Sequence, residues 1–239
     1  MSSLSWAIED RDGCVIVAVR GRLDLRGAPG LRTALLKCLA EQPRALLVDL
    51  AGMSLGDETS PALFTAVTRL ATDWPGTPVL LCAPQPDVSR LLSRGRFGTL
   101  QVRAEVGEAV LEVCATGAVP PVIRDQLLPA AGAARHARDL AAEACVRWGV
   151  PHLVGPASVV ATELVSNAVE HAGTMITLQF LHRPRHLHVV VRDGSPAMPV
   201  PAVSDTNEGR GLLLVESLAV HWGALPARDG KVVWATLAI

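Results

Sequence analysis

Three polar residues at a helical repeat are the first candidates for chemistry in this chain of 239 residues. Glu163, Asn167 and His171 follow one another at intervals of four, so in a helix they lie along one face. An asparagine oxygen suits Mg²⁺, a hard cation that takes oxygen ligands. A carboxylate one turn earlier can orient or deprotonate an attacking hydroxyl or water. Taken alone, the spacing favours a solvated helix face.

A second candidate stands at the end of an apolar run in the same half of the chain. The run over residues 189–191 leads, after one arginine, to Asp193 and Gly194. A buried aspartate there can accept a hydrogen bond from an exocyclic amine such as that of adenine. The glycine lets a base come close. Taken alone, the pair favours an ordinary turn at the end of a strand.

The third candidate is a pair of glycines at the start of a helical pattern. Gly209, Arg210 and Gly211 precede an apolar run that begins at Leu212. Free backbone N–H groups at a helix start, together with the helix dipole and an arginine, can bind phosphate groups. The Gly-x-Gly pattern is weak alone, and the P-loop and full dinucleotide-binding fingerprints are absent from the sequence.

In this order the three segments resemble the asparagine box and the two glycine boxes of the GHKL ATPase fold. More narrowly, they resemble the anti-sigma factor serine/threonine kinases of bacterial partner-switching systems, over roughly residues 128–239. The resemblance implies ATP and Mg²⁺ as cofactors, Glu163 as the catalytic base, Asn167 as the magnesium ligand and Asp193 as the adenine-binding residue. The residues that it implies for ATP binding are Asn167, His171, Asp193, Gly194, Gly209, Arg210, Gly211 and Leu212.

Two positions depart from that family pattern. Ser195 and Pro196 follow the first glycine box where relatives commonly carry a second glycine. Lys231 and Val232 stand where some relatives carry a hydroxyl residue, just after the glycine that opens the last strand. These departures favour, as the alternative to a kinase, a domain that binds nucleotide without catalysis.

The first half of the chain resembles a STAS domain, the fold of anti-sigma factor antagonists, over residues 5–115. The resemblance rests on the order of its strands and helices and on residues 48–53, which run into a turn that contains Asp57 and Glu58. In that family a serine or threonine in this turn is phosphorylated by the partner kinase. The resemblance therefore implies Thr59 as the phosphoacceptor position.

A purely structural role is the alternative for the hydroxyls of that turn. Ser60 stands where the family has a glycine, and it precedes Pro61. Serine is a preferred N-cap residue and proline a preferred first helical residue. The pair therefore predicts helix capping, with Thr59 and Ser60 both kept as candidate phosphoacceptors. A phosphate on Thr59 would add negative charge beside Asp57 and Glu58 and disfavour an interface there.

The elements that position these residues predict an α/β chain in two domains. Residues 1–115 show a β-hairpin and then alternating strands and helices, which predict a STAS-like mixed, mainly parallel sheet with helical cover. Residues 116–126 are rich in small residues and proline, and they predict a linker. Residues 127–239 predict a GHKL-type α/β sandwich, in which an antiparallel-rich sheet carries helices on one side.

Composition excludes several classes of protein. Hydrophobic residues make up 49% of the chain and charged residues 19%, which allows a large core and rules out wholesale disorder. The net charge of −1 argues against nucleic acid as a direct partner. We expect no membrane partner, because the sequence has no apolar run long enough to span a bilayer. The start of the chain carries no secretory signal pattern, so we expect a cytoplasmic location.

Cysteines and histidines complete the candidate groups. The five cysteines are odd in number and widely scattered, so buried free thiols are expected rather than disulfides or zinc sites. His182, His186 and His188 cluster near one hairpin, with arginines between them and no nearby carboxylate or cysteine. That composition favours a solvated turn over a metal site.

The sequence therefore predicts an ATP-binding regulator of partner switching. In one hypothesis it is a serine/threonine kinase that acts on STAS-domain anti-sigma factor antagonists, an anti-sigma factor, or both. Its partners would then be an antagonist protein, a sigma factor, its own STAS domain through an intramolecular contact, and a second copy in a homodimer. In the alternative hypothesis the chain is a non-catalytic, nucleotide-binding sequestration module that its own STAS domain regulates.

Overall fold

The computed structural model describes residues 3–93, 97, 99–116, 120–199 and 210–239, with residues 116 and 210 described by their backbone. The chain divides into two compact units, Met1–Val119 and Pro120–Ile239. None of the described helices is both long enough and apolar enough to cross a lipid bilayer.

The first unit is a five-stranded sheet with helices between its parallel strands. Its strands are β1 (Ser5–Arg11), β2 (Cys14–Leu23), β3 (Leu46–Leu55), β4 (Val79–Cys82) and β5 (Gln101–Arg103), and its helices are α1 (Ala28–Ala40), α2 (Ala62–Asp73), α3 (Pro86–Leu92) and α4 (Val106–Thr116). The spatial order is β1-β2-β3-β4-β5. β1 runs antiparallel to β2, and the other neighbours are parallel. The predicted mixed, mainly parallel sheet is confirmed.

Local sequence explains how this sheet begins. Asp12 and Gly13 both have positive φ, 53° and 78°, which is what a two-residue hairpin turn of the favoured twist requires. The third strand is longer than its apolar run predicts, since residues 52–55 continue the parallel pairing with β2 beyond a shift in register after Ala18. Pairing with a neighbour, rather than hydrophobicity, extends this strand toward Asp57.

The second unit is an antiparallel sheet packed against three helices. Its elements are β6 (Val122–Leu127), α5 (Ala133–Arg147), α6 (Val154–His171), β7 (Ile176–Arg183), β8 (His186–Asp193), α7 (Arg210–Leu218), β9 (His221–Pro226) and β10 (Lys231–Ala238). The strand order is β6-β7-β8-β10-β9, and all described pairings are antiparallel. The predicted α/β sandwich is confirmed.

The core of the second unit lies between one face of the sheet and the three helices. Alternate residues of β7, β8 and β10 point into it, including Phe180, Val189 and Ala235. From the helix side α6 contributes a buried stripe that contains Val160, Leu164 and Ala168, as its spacing predicts. Because this stripe is anchored in the core, the neighbouring polar face of α6 has a fixed position.

One strand was not predicted. The stretch 116–126 is expected to be a linker, but β6 pairs with β7 residue by residue from Val122 to Leu127. The linker prediction is therefore wrong for residues 122–126, which belong to the second sheet. Residues of β6 alternate only weakly between apolar and polar, and they follow two prolines, so the sequence signal favoured an irregular segment. β6 is a strand because it pairs with β7, and its own sequence pattern does not predict this.

The cysteines are free, as expected, but not all of them are buried. Cys14, Cys38, Cys82 and Cys145 lie in the interior, whereas Cys114 is exposed. The expectation of buried thiols is wrong for Cys114, which lies in the last turn of α4 on its outer side.

Candidate functional site

The polar face predicted for the second unit lies on one uninterrupted helix. Glu163, Asn167 and His171 all belong to α6. The first two are half-buried and His171, the last residue of the helix, is exposed. Across the described residues, no hydrogen bond holds the Asn167 amide. A half-buried amide of this kind can offer its oxygen to a hard cation.

The start of α7 lies directly against this face. A Cβ placed on Gly211 would overlap the Oε2 atom of Glu163 and would lie 3.6 Å from its Cβ. The Glu163 carboxylate therefore lies against the first turn of α7, where backbone N–H groups have no partner within the helix, and a larger residue than glycine at 211 would displace it. The structure brings Glu163 and Gly211 together, although 48 positions separate them in the sequence.

The other predicted residues around Gly211 have different outcomes. Gly209 lies outside the described residues, and Arg210 is described only as the first residue of α7. Leu212 is buried in the core with Val215. The buried side chain of Leu212 therefore anchors α7 in the core. Of Leu212, only the backbone N–H could contact a phosphate.

Asp193 is buried at the end of β8, where it forms an ion pair. Its Oδ1 atom accepts hydrogen bonds from the Lys231 ammonium at 2.9 Å and from the Ser195 backbone N–H at 2.8 Å. Lys231 also donates to the Ser195 carbonyl oxygen at 3.4 Å. The side chains of Asp193 and Lys231 are 1% and 7% exposed. The carboxylate predicted to bind a base is thus held by a lysine of the last strand.

The backbone after Asp193 is tied to the end of α6. The Gly194 N–H donates to the Thr174 hydroxyl at 2.8 Å. Thr174 comes three positions after His171, so it marks the C-terminal end of the polar face. Glu163, which lies against α7, precedes His171 by eight residues, or about 12 Å along the helix. One helix therefore orders Gly211, Glu163, Asn167, His171 and the end of β8 in a row.

In the sequence Lys231 stands out only as a departure from the family pattern, and its ion pair with Asp193 was not predicted. A signal was present, because the chain has two lysines and one of them opens an otherwise apolar strand. A charged residue on a buried strand needs a partner of opposite charge. The nearest carboxylate at a strand end, Asp193, is that partner.

In the first unit, the turn before α2 is organised by a single carboxylate. Asp57 Oδ1 accepts hydrogen bonds from the Thr59 N–H at 2.8 Å, the Thr59 hydroxyl at 2.6 Å and the Ser60 N–H at 2.7 Å. The Ser60 hydroxyl donates to Oδ2. The hydroxyls of Ser60 and then Thr59 hold the pKa of Asp57 well below its usual range. Thr59 is exposed, whereas Ser60 is 3% exposed.

The predicted capping role of Ser60 is wrong. α2 begins at Ala62, its N-cap residue is Pro61, and no side chain caps it. The Ser60 hydroxyl instead donates its proton to the ionised carboxylate of Asp57. Hydrogen bonds of the turn type, such as Ala62 N–H to the Thr59 carbonyl oxygen, start the helix instead.

The prediction of a solvated turn near the β7–β8 hairpin is wrong for His188. His188 is 3% exposed, and its Nδ1 lies 3.1 Å from the Thr236 hydroxyl. Burial, with smaller contributions from Arg183 and His186, lowers the pKa of His188 to about 4. His182 packs against the Trp148 ring, with ring centroids 5.5 Å apart. Within the described ranges no three His, Cys, Asp or Glu side chains are placed to hold a metal ion.

Comparison with known families identifies both units. Residues 127–237 match the family described as the histidine kinase-like ATPase domain, and residues 5–109 match the STAS domain. The chain therefore joins a STAS domain to a histidine kinase-like ATPase domain. The two domain families expected from the sequence are confirmed. No curated protein matches the chain.

Among solved structures the chain is similar to anti-sigma factor antagonists. One from Mycobacterium paratuberculosis is 26% identical, with a TM-score of 0.42, over 47% of this chain and 95% of that one. SpoIIAA in its unphosphorylated form is 17% identical, with a TM-score of 0.40, over 48% of this chain and 100% of that one. The Bacillus protein SpoIIAA in its phosphorylated form is 17% identical, with a TM-score of 0.37, over 46% and 99%.

Proposed function

We propose that the second domain is a protein serine/threonine kinase of the partner-switching type, and that it binds Mg-ATP on the polar face of α6. The observation that carries this proposal is the order of groups along one helix. Glu163 lies against the glycine that starts α7, and Thr174, just beyond the same helix, holds Gly194 next to the buried Asp193. A triphosphate lying along α6 would have its base at one end and its γ-phosphate at the other.

The residues present fit that ligand. Asp193 supplies a buried carboxylate for a base amine, and Asn167 supplies an amide oxygen for Mg²⁺. The start of α7, with Gly211 in its first turn, supplies backbone N–H groups for phosphates. His171 stands at the exposed end of the face, beside the base end of the site. When bound, Mg²⁺ neutralises charge that develops on the β- and γ-phosphates.

Glu163 is placed to act on the hydroxyl that attacks. In the proposed step the hydroxyl oxygen of a serine or threonine forms a bond to the γ-phosphorus, and the bond from that phosphorus to the β–γ bridging oxygen breaks. ADP leaves with the bridging oxygen, and the hydroxyl proton passes to the Glu163 carboxylate. The contact between Glu163 and the first turn of α7 supports this role, since it puts the base beside the proposed phosphate end.

The substrate in this proposal is a STAS protein, either an anti-sigma factor antagonist or the attached STAS domain. Within this chain Thr59 is the better acceptor, because it is exposed while Ser60 is buried. Its hydroxyl lies 2.6 Å from Asp57, so a phosphate there would place two negative groups in contact and open the turn. We further propose that the protein acts in the cytoplasm, on a sigma factor or its antagonist, with residues 1–115 as regulatory domain and 127–239 as kinase domain, and as a homodimer.

The test is phosphoryl transfer by the intact protein. We would incubate it with Mg-ATP, alone and with purified STAS antagonists, and map phosphorylated serine and threonine by mass spectrometry. Glu163→Gln should abolish transfer and retain nucleotide binding. Glu143→Gln is the matched control, since Glu143 lies on α5 in an exposed pair with Arg147 and should leave transfer unchanged. Nucleotide bound without any phosphorylated partner would contradict the kinase.

A non-catalytic sequestration module is the second candidate. The observation that favours it is the Asp193–Lys231 ion pair, which occupies one oxygen of the base-binding carboxylate. In this case Glu163→Gln would leave both ATP binding and regulatory output unchanged. The same variant therefore separates the two candidates.

A further inference from the structure

A polar groove in the first unit lies on the part of its sheet that α4 leaves uncovered. Cys14 and Ile16 of β2 belong to a small core that α4 closes with Val110. Further along β2, on the same face, stands Arg20. The groove has a volume of about 510 Å³, which is within the usual range for small-molecule sites. Its polar side chains are those of Ser3, Ser5, Arg20, Arg22, Ser54 and Gln85.

An extra residue on β3 shapes this groove. Ala18 of β2 pairs with Asp49, but Arg20, two positions later, pairs with Gly52, which is three positions later. A bulge of this kind redirects side chains and is common beside functional sites. A Cβ on Gly52 would overlap the Cδ atom of Arg20. The register shift therefore gives Arg20 a neighbour without a side chain, and its stem lies over the backbone of β3.

The charge of the groove is positive. Among the described residues that line it, none is acidic. Arg20 forms an ion pair with Asp49 at 2.8 Å, whereas Arg22 has no carboxylate within ion-pair distance in the described part of the chain. Arg22 donates one N–H from Nη2 to the Gly56 carbonyl oxygen at 3.1 Å. Its Nε and Nη1 groups make no hydrogen bond to any described residue, so they are available to a ligand.

Hydroxyl groups lie beside both arginines. Within the ranges that the structure describes, three serine hydroxyls of the groove make no hydrogen bond to protein, those of Ser3, Ser5 and Ser54. Ser5 of β1 stands opposite Arg20, and Ser54 of β3 stands opposite Arg22. Each arginine therefore has a neutral donor next to it, as an oxyanion with several oxygens requires.

This set of donors favours a phosphate over a carboxylate. The guanidinium fork of Arg22 matches two oxygens of either group. A carboxylate has two oxygens, and both would be occupied by that fork. A terminal phosphate has three acceptor oxygens and carries more charge, so it can also accept from the serine hydroxyls.

We propose that this groove binds a small molecule that carries a terminal phosphate group. Arg22 donates to two of its oxygens, the Ser54 hydroxyl donates to the third, and Arg20 adds positive charge that Asp49 only partly neutralises. The site lies within the first unit and goes beyond the nucleotide site proposed for the second. Because Arg22 also holds the carbonyl group of Gly56, the residue before Asp57, the ligand would contact an arginine that supports the turn of Thr59.

NMR on the intact, ¹⁵N-labelled chain tests the inference, with inorganic phosphate as the probe and sodium chloride at matched ionic strength as the reference. The Nε–H signal of Arg22 and the backbone N–H signals of Gly52 and Ser54 should shift together and saturate. We expect them to give one dissociation constant of about 1 mM or tighter. Acetate should bind more weakly than phosphate to the same residues.

Variants of the groove should weaken this binding in a graded way. Arg22→Gln should raise the dissociation constant for phosphate about tenfold or more, because it removes charge-assisted hydrogen bonds. Ser54→Ala should raise it about threefold, since a single neutral donor is lost. Arg32→Gln is the matched control, because it removes the same charge from an exposed position of α1 outside the groove, and it should leave the constant unchanged.

Four results would overturn the inference. The first is the absence of saturable shifts in the groove of the wild-type protein, which needs no variant to fold. The second is an equal loss of affinity in Arg32→Gln and Arg22→Gln, which would show a general effect of charge. The third is acetate binding as tightly as phosphate. The fourth is shifts confined to the second unit, which would place phosphate at the proposed nucleotide site alone.

Discussion

The two units of this protein build their polar sites in opposite ways. In the first unit, Asp57 binds hydroxyl and N–H groups that are two and three residues away. In the second unit, Asp193 is held by Lys231, 38 residues further on, and Glu163 lies against Gly211. A local turn keeps its geometry whenever its own backbone is folded. A site assembled from distant segments exists only when the whole sheet and its helices are in place.

The units also differ in how they respond to protons. All seven histidines follow residue 119, whereas the first 119 residues contain none. The first unit carries carboxyls with lowered pKa values at Asp57 and, through a hydrogen bond from Arg103, at Glu112, and both titrate below the range in which histidines do. The ATPase-like unit should therefore be the pH-sensitive half between pH 4 and 7.

The largest expected effect on stability comes from removing the counter-ion of the buried Lys231. Asp193→Ala leaves the Lys231 ammonium buried without its counter-ion, which typically costs about 3–5 kcal/mol. Only the second unit should lose this stability. Peptide-resolved hydrogen exchange across a urea series would report the two units separately in the intact chain.

Asp49→Ala in the first unit is the comparison for that variant. Asp49 pairs with Arg20 at 2.8 Å, but the arginine side chain is 50% exposed, so the solvated ion pair should contribute far less. Similar losses from Asp49→Ala and Asp193→Ala would show that the distant pair is no more critical than a surface one.

The next effect is the pH dependence of the second unit. The pKa of His188 is about 4 in the folded protein, because burial disfavours its charged form, against about 6.5 when unfolded. As the pH falls from about 6.5 to 4, the unfolded chain takes up a proton that the folded chain does not. The free energy of unfolding of the second unit should therefore fall by about 3 kcal/mol over this window and change little from this cause below it.

Unfolding curves at pH 7, 6, 5 and 4.5, followed by hydrogen exchange, would measure this loss. His188→Gln should flatten the curve for the second unit, and His152→Gln, at an exposed histidine, is the control. The first unit should stay unchanged, since Asp57 has a lowered pKa and its stabilising contribution is lost only as the pH falls below about 4. Equal pH dependence of stability in both units would contradict the expectation that the second unit is the more sensitive to pH.

The smallest effect is expected at the local turn. Ser60→Ala removes the hydroxyl that donates to Asp57 and should destabilise the first unit by about 1 kcal/mol. The pKa of Asp57 should move up toward its usual value, because the Ser60 hydroxyl is the largest cause of its lowering. Carboxyl NMR titration and thermal unfolding would measure the two changes. An effect of this variant on the second unit would contradict a purely local site.

Much of the fold could be predicted from the sequence. The helical spacing of Glu163, Asn167 and His171 fixed their common face, because a helix repeats over a few residues. The strand and helix patterns predicted both sheets, apart from β6 and the extension of β3. Those two segments are weakly patterned, and pairing with β7 and β2 decides their conformation.

For the candidate site as well, local patterns predicted some features, and others depended on tertiary packing. Residue types and order, from the α6 face to Asp193 and Gly211, were readable because each stands in a local pattern of its own. The ion pair with Lys231, the burial of His188 and the turn of the Ser60 hydroxyl toward Asp57 were not. Each depends on what surrounds a side chain in space, and burial and charge pairing arise only after the elements have packed.

By itself, the amino-acid sequence determined the elements and the roles open to their residues, since backbone periodicity and turn chemistry act over a few positions. Tertiary structure alone decided which of these residues meet: Glu163 with Gly211, Thr174 with Gly194, and Asp193 with Lys231. The physical reason is that contacts between distant segments are selected by the packing of the whole core, and no short stretch of the chain contains that information.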